Sequence, residues 1–296
     1  MSDASTARIR ALPYWQGEIH CEPLSGGITN QNFVVQDGAT RCVARVCEES
    51  RFLGIDRRNE RLCQVAAHRA DVAPEILYSE DGILISSFIH GRTFSQADVC
   101  DPDILRRLAG VLRRLHDSRD QLTGELLFFC PFQAVRTYTA TARALRAELP
   151  ADIDDLMDDA RKLSSQTGRY RPTLCHNDLL AANIMDDGGQ IRIVDWEYAG
   201  IGNPVFDLAS VAANNGLTDK QQTALVVAYA GRADPVMMRE LQILKTVSLL
   251  REALWAVIQT VKSPINFDYA DYAARNCEAY KESRSRLVET NITGGK

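Results

Sequence analysis

The pattern of hydrophobic positions divides the chain into two parts. Up to residue 90, β-rich runs occupy residues 32–36, 41–46, 76–79 and 83–88, and an Asp-Gly pair separates the two runs of each hairpin. Apolar runs on both sides of Asp-Gly are a strong signal of a β-hairpin. Between the hairpins, Leu62, Val65 and Ala66 lie at helical spacing. The predicted order is strand, strand, helix, strand, strand.

Beyond residue 91 the pattern is mainly helical. A helix that begins at residues 101–103 carries one apolar stripe, formed by Ile104, Leu105, Leu108, Val111, Leu112 and Leu115. Further helices are predicted at roughly 134–148, 152–166, 219–231 and 236–261. One β interruption is predicted, a hairpin at residues 183–194. The expected fold class is α+β, with a β-rich lobe at residues 1–90 joined closely to a mainly helical lobe at residues 91–296.

Composition and charge narrow the function. The 296 residues are 45% hydrophobic, enough for a substantial core, and the net charge of -5 gives no reason to bind nucleic acid or an anionic membrane. No apolar run approaches the roughly 18 residues that span a bilayer, and the N-terminus lacks the apolar stretch of a secretory signal. The eight cysteines show no CxxC or CxxH spacing, which favours buried free thiols. We therefore expect a cytoplasmic enzyme of small molecules.

The most informative segment is HNDLLAAN at residues 176–183, followed by Asp195. If residues 186–190 form the hairpin loop, Asn183 lies opposite Ile193. Asp195 is then the diagonal neighbour of Asn183 on the same face, at about 7–8 Å between Cα atoms, a distance at which two side chains can share a metal ion. Asp178 comes from the loop that leads into the first strand, at the same end of the hairpin.

Phosphoryl transfer needs this set of side chains. A carboxylate orients and deprotonates the attacking hydroxyl, and an Asn and an Asp hold Mg²⁺ against the triphosphate of ATP. Taken singly, Asp178 and Asn183 could only cap a turn, and Asp195 could only end a strand. In this order and on one hairpin, the three residues favour a catalytic site.

These motifs resemble those of the choline/ethanolamine kinases and aminoglycoside phosphotransferases, which share the protein-kinase-like fold. The family pattern HxDxxxxN, followed by a DxE-type segment, corresponds to HNDLLAAN and to Asp195-Trp196-Glu197-Tyr198. The resemblance covers roughly residues 22–285. It implies that Asp178 is the catalytic base, that Asn183 and Asp195 are the Mg²⁺ ligands, and that His176 braces the loop without binding metal.

The resemblance also implies a role for Asp207, which follows Pro204 in a segment that matches the family. Asp207 is expected to hydrogen-bond the catalytic loop and so to support the residues that react.

Nucleotide binding is predicted for two segments of the first lobe. Before the first hairpin, backbone N–H groups near paired glycines can approach the phosphates of ATP closely; the residues are Ser25, Gly26, Gly27, Thr29 and Asn30. The segment that links the lobes, with Ser87, Phe88 and Ile89, is expected to read adenine through its backbone. A turn without a ligand is the alternative for the glycines.

Arg45 interrupts an apolar strand and must find a partner if it is buried. Glu60 on the following helix is the candidate partner. Protein kinases hold the α- and β-phosphates with a Lys–Glu pair at this place. In the choline kinase branch of the resembled family, an Arg takes the place of that Lys. An exposed Arg on an edge strand is the alternative.

The acceptor site is predicted near the C-terminus. Trp255 and Tyr272 match positions that border choline in the resembled family, and Tyr198 matches a third aromatic. Aromatic faces bind a quaternary ammonium group, although rings at such spacing are usually core residues. The full predicted set is Glu197, Tyr198, Glu252, Trp255, Phe267, Tyr269 and Tyr272. Some members of the resembled family carry a second Trp where this chain has Glu252. The Glu252 side chain either favours binding of a cation or faces solvent.

The sequence leaves three functions open. A kinase that phosphorylates choline or ethanolamine is the first, and a kinase of another amino alcohol, such as thiamine or an aminoglycoside, is the second. A nucleotide-binding module without activity is the third. The expected binding partner is a small alcohol substrate. Binding to nucleic acid and insertion into a membrane are not expected, and the sequence leaves open whether the protein forms a homodimer.

Overall fold

The structure is a computed structural model that describes residues 2–24, 30–47, 50–263 and 265–293. Its N-terminal part is an antiparallel sheet of five strands in the order β1-β2-β3-β5-β4, flanked by two helices. The elements are α1 (Ser2–Arg10), β1 (Ile19–Leu24), β2 (Gln31–Asp37), β3 (Thr40–Val46), α2 (Arg57–Arg69), β4 (Ile76–Glu80) and β5 (Ile83–Ser87).

The C-terminal part is mainly helical and carries two small antiparallel ribbons, β6-β8-β9 and β7-β10. Its elements are β6 (Arg92–Thr93), α3 (Gln96–Val99), α4 (Pro102–Asp117), α5 (Pro131–Ala144), α6 (Ile153–Ser164), β7 (Thr173–Cys175), β8 (Ile184–Asp186), β9 (Ile191–Ile193), β10 (Gly200–Gly202), α7 (Pro204–Asn214), α8 (Asp219–Ala230), α9 (Pro235–Lys262) and α10 (Tyr269–Thr293). No helix in the described ranges is long and apolar enough to cross a membrane.

The α+β prediction is confirmed, with a sheet in the N-terminal part and helices in the C-terminal part. The two faces of the N-terminal sheet pack against different parts of the protein. On the outer face, side chains such as Phe33 and Ala44 pack with Ile9 and Leu12 from the region of α1. Because strand side chains alternate, Arg45 lies on the opposite face, toward α2. The boundary at residue 90 stays a prediction.

Helix α2 joins the two parts. Asp56 caps its N-terminus by accepting the backbone N–H of Asn59. The Asn59 side chain donates to the carbonyl of Ala199 at 2.7 Å and accepts the backbone N–H of Leu127 at 2.8 Å, and both of these partners belong to the C-terminal part. The helix is therefore fixed against the segment that follows the predicted metal ligand Asp195.

Two predictions about the β structure are wrong. Strand β1 precedes the first predicted hairpin, so residues 25–29 lie between β1 and β2 instead of before all strands. The helical part also contains strands β6, β7 and β10 in addition to the predicted hairpin. Each of these three is only two or three residues long, too short to leave a periodic pattern in the sequence.

The predicted register of the β8–β9 hairpin is also wrong by one residue. Asp186 pairs with Ile191, and Ile184, not Asn183, pairs with Ile193. The loop is shorter because the Asp187 side chain accepts the backbone N–H groups of Gly189 and Gln190 and closes the turn. Asn183 therefore lies in a short 3₁₀ turn before the strand, and its carbonyl accepts the N–H of Val194 at 2.9 Å.

Helix α7 anchors the loop that follows β7. The carboxylate of Asp207, fully buried in the first turn of α7, accepts the backbone N–H groups of His176 at 2.9 Å and Asn177 at 2.7 Å. His116 at the end of α4 donates to the same carboxylate through Nε2 at 3.0 Å, and Tyr229 Oη lies 2.8 Å from His116 Nδ1. The expected hydrogen bonds from Asp207 to the loop are present, while the contribution of His116 was not predicted.

Replacing Asp207 with Asn is expected to lower the free energy of unfolding by about 1–3 kcal/mol. An amide can accept at only one atom, so at least one buried N–H of His176 or Asn177 loses its acceptor and faces an NH₂ group. Urea unfolding followed by circular dichroism measures the loss. Asp154→Asn is the control, because the Asp154 side chain is 86% exposed. Equal stability of the two variants would contradict the anchoring role.

Candidate active site

The loop after β7 and the β8–β9 hairpin bring Asp178, Asn183 and Asp195 together. Asn183 Nδ2 donates to the backbone carbonyl of Asp178 at 2.9 Å. The N–H of Val194 bonds the Asn183 carbonyl, and Asp195 follows directly. Burial raises the pKa of Asp195, and the carboxylates of Glu60 and Asp178 raise it further, as expected for acidic groups that share one site. The predicted convergence therefore exists, although the register that predicted it is wrong.

His176 braces this arrangement from behind. Its Nε2 donates to the carbonyl of Val194 at 3.0 Å, and its Nδ1 accepts the backbone N–H of Asp178 at 3.3 Å. Since Nδ1 must be unprotonated to accept, the ring is neutral, and burial lowers the pKa of His176 in agreement. The ring also contacts the buried Trp196 edge to face at 4.8 Å between centroids.

Two site residues adopt a left-handed backbone conformation that residues other than glycine rarely adopt. Asn177 has φ = 66° and Asp195 has φ = 64°. The Asn177 side chain stabilises this turn by donating to the carbonyl of Tyr198 at 3.0 Å. Strained backbone persists when its surroundings hold it, and it occurs often at functional sites.

Arg45 is buried and bridges two carboxylates. Its guanidinium pairs with Glu60, as the sequence predicted, and donates to Asp195 Oδ1 at 2.8 Å. Arg57 in the first turn of α2 donates to the second oxygen of Glu60 at 2.8 Å. Burial alone would raise the pKa of Glu60, but the guanidinium groups of Arg45 and Arg57 outweigh burial and lower it. The alternative of an exposed Arg45 is wrong.

Glu197 faces the N-terminal part of the protein. Its Oε2 accepts from Asn30 Nδ2 at 3.0 Å and from Arg57 at 3.1 Å. Arg57 thus contacts both Glu60 and Glu197, a role that sequence analysis missed. Its position one turn from Glu60 on a predicted helix was a signal that could have identified it. Asn30 is the first described residue after the glycine segment, and Ser25, Gly26, Gly27 and Thr29 lie outside the described residues.

Arg251 is the second cation that sequence analysis missed. It lies in the middle of α9 with its side chain 3% exposed, and it donates to Asp178 Oδ1 at 2.9 Å and to the carbonyl of Asn177 at 3.1 Å. It also pairs with its neighbour Glu252. Glu252 is buried, so the alternative that it faces solvent is wrong. A charged pair inside an otherwise uncharged stretch, residues 246–261, was the signal in the sequence.

The pKa values of three carboxyl groups reflect the crowded charge. Burial raises the pKa of Asp178 to about 7, with Arg251 opposing the rise and Glu252 adding to it. Burial likewise raises the pKa of Asp195 to about 6 against the opposing charge of Arg45. For Glu197, burial and then the nearby Asp195 raise the pKa to about 7.

The predicted aromatic residues form one cluster at the start of α10 and the middle of α9. Ring centroids lie 5.9 Å apart for Trp255 and Tyr269, 6.4 Å for Trp255 and Tyr272, and 5.9 Å for Phe267 and Tyr272, all with edge-to-face geometry. Tyr272 Oη donates to Glu252 Oε2 at 3.3 Å, and burial raises the pKa of Tyr272. Phe267 remains 39% exposed, so the cluster reaches the surface.

Tyr198 lies on the other side of Arg251. Its ring centroid is 5.2 Å from the guanidinium carbon of Arg251, and its hydroxyl is buried without a hydrogen-bond partner in the part of the chain that the structure describes. Tyr198 therefore contacts the cation that holds Asp178, and it is separate from the cluster of Trp255, Phe267, Tyr269 and Tyr272.

The predicted hinge residues Ser87, Phe88 and Ile89 line one wall of a cavity of about 600 Å³, and Asp187 and Arg192 of the β8–β9 hairpin line another. The Ser87 backbone N–H and side chain bond the backbone of Glu75. A hydrogen bond to adenine is not tested by these contacts and stays a prediction.

The side-chain oxygen atoms of Asn183 and Asp195 are suitable ligands for a magnesium ion. Asn183 uses Nδ2 for the loop, so its carbonyl oxygen Oδ1 is the atom left for a ligand. Asp195 keeps 30% of its side chain exposed, and only Oδ1 is engaged by Arg45. An all-oxygen set of one amide and one carboxylate suits Mg²⁺, which keeps several waters.

Comparisons with known proteins agree with this geometry. Residues 20–244 match the family APH, described as the phosphotransferase enzyme family. Protein LicA of Haemophilus influenzae is 27% identical over 88% of this chain and 79% of its own. Probable choline kinase 3 of Arabidopsis thaliana is 24% identical over 91% and 88%.

Among solved structures, a choline/ethanolamine kinase family protein from Mesorhizobium loti superposes with a TM-score of 0.78, at 26% identity over 95% of this chain and 94% of the other. Because the family match spans well over half of the sequence, the chain belongs to the phosphotransferase enzyme family.

Proposed function

We propose that this protein is an ATP- and Mg²⁺-dependent kinase that phosphorylates the hydroxyl group of choline or of the closely related ethanolamine. The observation that carries the proposal is the convergence of Asp178, Asn183 and Asp195 beneath the buried Arg45–Glu60 pair. The relatives whose names include choline kinase or choline/ethanolamine kinase support the choice of acceptor.

The nucleotide is held by residues of the N-terminal part. Arg45 lies between Glu60 and Asp195, where its guanidinium can bind the α- and β-phosphates while Glu60 fixes its direction. Asn30, the first described residue before β2, contacts Glu197 at this site, and a role for Ser25, Gly26, Gly27 and Thr29 at the phosphates stays a prediction. The backbone of Ser87, Phe88 and Ile89 binds adenine.

Charge supports a divalent cation in this site. Two separate groups of ion pairs lie at the site. Arg45 and Arg57 are joined to Glu60, Asp195 and Glu197, and Arg251 is joined to Asp178 and Glu252. In each group the carboxyl groups outnumber the guanidinium groups by one. A bound Mg²⁺ would neutralise charge on the phosphates and align them for transfer.

Asp178 is the general base. Its Oδ1 is held by Arg251, which leaves Oδ2 to accept the proton of the acceptor hydroxyl. The acceptor oxygen forms a bond to the γ-phosphorus, the bond from that phosphorus to the β,γ-bridging oxygen breaks, and ADP leaves. Positioning by Asp178, Asn183 and Asp195 contributes most of the rate enhancement, because phosphoryl transfer requires little covalent assistance from the protein.

The acceptor cation is bound by the aromatic cluster of Trp255, Phe267, Tyr269 and Tyr272. A quaternary or primary ammonium over these rings gains about 0.5–2 kcal/mol from a cation–π contact. The buried carboxylate of Glu252 contacts Tyr272 and adds negative charge beside the rings. Glu197 contributes negative charge from the nucleotide side of the site.

The rivals differ in measurable ways. A kinase of thiamine or an aminoglycoside keeps the same chemistry with another acceptor, and a catalytically silent module binds nucleotide without turnover. The silent module is disfavoured because the chain carries a candidate base, Asp178, in contact with the candidate metal ligand Asn183, and a second candidate ligand, Asp195, in contact with Arg45.

A screen with radiolabelled ATP and Mg²⁺ tests the proposal. Choline and ethanolamine are expected to accept labelled phosphate at least about 100-fold more efficiently, by kcat/KM, than thiamine or an aminoglycoside, a difference of about 2.7 kcal/mol. Removal of Mg²⁺ with EDTA serves as the control and should abolish transfer. Preference for thiamine or an aminoglycoside would select the second function, and nucleotide binding with no transfer to any alcohol would select the third.

Replacing Asp178 with Ala is expected to lower kcat by about 10²–10⁴-fold, the usual contribution of a general base, and to leave the affinity for ATP nearly unchanged. Steady-state kinetics and calorimetric titration with an ATP analogue measure the two quantities. Asp154→Ala, at an exposed position, provides the control. Turnover like that of the wild type would remove Asp178 from the mechanism.

Replacing Trp255 with Ala is expected to raise the KM for choline by about tenfold or more and to change the KM for ATP much less, because the proposal places the ring against the acceptor and not against the nucleotide. Trp255→Phe keeps an aromatic face and is expected to retain most of the affinity. For both variants, the KM for each substrate is measured at a saturating concentration of the other substrate. An equal rise of both KM values in Trp255→Ala would indicate that the ring has only a packing role.

A further inference from the structure

A guanidinium group lies inside the apolar middle of α9. Arg251 follows Leu250 and precedes Glu252 and Ala253, and its side chain is almost fully buried. Removing a charge from water costs several kcal/mol unless partners replace its hydration. All three guanidinium nitrogens of Arg251 donate hydrogen bonds, which accounts for how the charge is tolerated.

The partners of Arg251 are concentrated on the base. Its terminal nitrogens donate to Asp178 Oδ1 and to the carbonyl of Asn177, the residue with strained left-handed backbone just before Asp178. In the described ranges, no other side chain donates a hydrogen bond to the carboxylate of Asp178. One cation therefore fixes both the turn that carries the base and the direction in which its free oxygen points.

The loop offers no substitute for this cation. Residues 176–183, HNDLLAAN, contain neither Lys nor Arg. Arg251 comes from a helix about 70 residues later in the chain, the helix that also carries Trp255 one turn further on. On its other side, Arg251 pairs with Glu252, whose second oxygen accepts from Tyr272 Oη. Hydrogen bonds thus connect the aromatic cluster to the base through two side chains.

We propose that Arg251 is a positioning residue that orients Asp178 Oδ2 toward the acceptor hydroxyl and that ties this orientation to the aromatic cluster through Glu252 and Tyr272. The inference rests on the proposed function, since it assigns Asp178 the proton of the acceptor. Arg251 neither gains nor loses a proton in the reaction, in which the proton passes from the hydroxyl to Asp178 and the phosphoryl group passes to the acceptor oxygen.

Kinetics of Arg251→Ala test the proposal. We expect kcat to fall by about 10²–10³-fold, because a misplaced base loses most of its advantage, while the KM for ATP changes less than threefold. Arg251→Lys, which can hold Asp178 but cannot also reach Asn177 and Glu252, is expected to keep about a tenth of the activity. A calorimetric titration with an ATP analogue and a melting curve show whether each variant is folded and binds nucleotide.

Two further readouts separate positioning from a merely structural role. Millimolar guanidinium is expected to enter the space left in Arg251→Ala and to raise its kcat at least tenfold, whereas sodium chloride at equal ionic strength has no such effect. Arg251→Ala is also expected to lower kcat little further when Asp178 is already Ala, since residues that act as a unit are not additive. The exposed Arg143→Ala is the control for guanidinium itself.

The outcomes are distinct. A folded Arg251→Ala with kcat within threefold of the wild type, or a full additional loss in the Asp178→Ala background, would overturn the proposal. If Arg251→Ala does not fold, the pair Arg251→Met with Glu252→Met removes one of the two carboxylates left without a partner, and its kcat is compared with that of Glu252→Met alone within the same limits. A wild-type protein that phosphorylates neither choline nor ethanolamine would refute the proposed function, which is a separate result from normal activity in the variant.

Discussion

The site depends on the burial of more carboxylates than guanidinium groups. A buried carboxylate without a partner costs several kcal/mol, so the chain supplies Arg45, Arg57 and Arg251 from three different elements, β3, α2 and α9. Each guanidinium contacts two carboxylates, and the fold must bring those elements together for any of the charges to be tolerated. Burial, opposed by the nearby guanidinium groups, keeps the pKa values of Asp178 and Asp195 above their usual range.

Local chemistry made much of this structure predictable. The Asp-Gly turns specify two hairpins of the N-terminal sheet by backbone conformation alone, and Gly38 and Gly82 have positive φ as such turns require. The pairing of Arg45 with Glu60 followed from the cost of burying a charge on an apolar strand. The proximity of Asp178 and Asn183 was predicted from the position of Asp178 in the loop that leads into the hairpin, and the contact between the two residues agrees with it.

The rest depends on contacts between distant segments. The loop of the β8–β9 hairpin is one residue shorter than expected because Asp187 closes the turn with its side chain, a choice that the hydrophobic pattern does not reveal. Arg251 contacts Asp178 across 73 positions of sequence, and its direction is set by the packing of α9 against α5, α7 and α10. The sequence shows that a buried charge needs a partner, but it does not show which residue that partner is. Contacts such as Arg251 with Asp178 could therefore not be predicted.

Under the proposed function, helix α9 makes acceptor recognition and base orientation depend on one rigid element. Trp255 and Arg251 lie one turn apart on the same side of the helix, so a shift of α9 that improves the fit of a different ammonium also moves the group that holds Asp178. Glu252 stands between them and is shared by Arg251 and Tyr272. A substitution at this position therefore changes the charge beside the acceptor and the restraint on the base together, which constrains how the specificity of this site can change while it remains active.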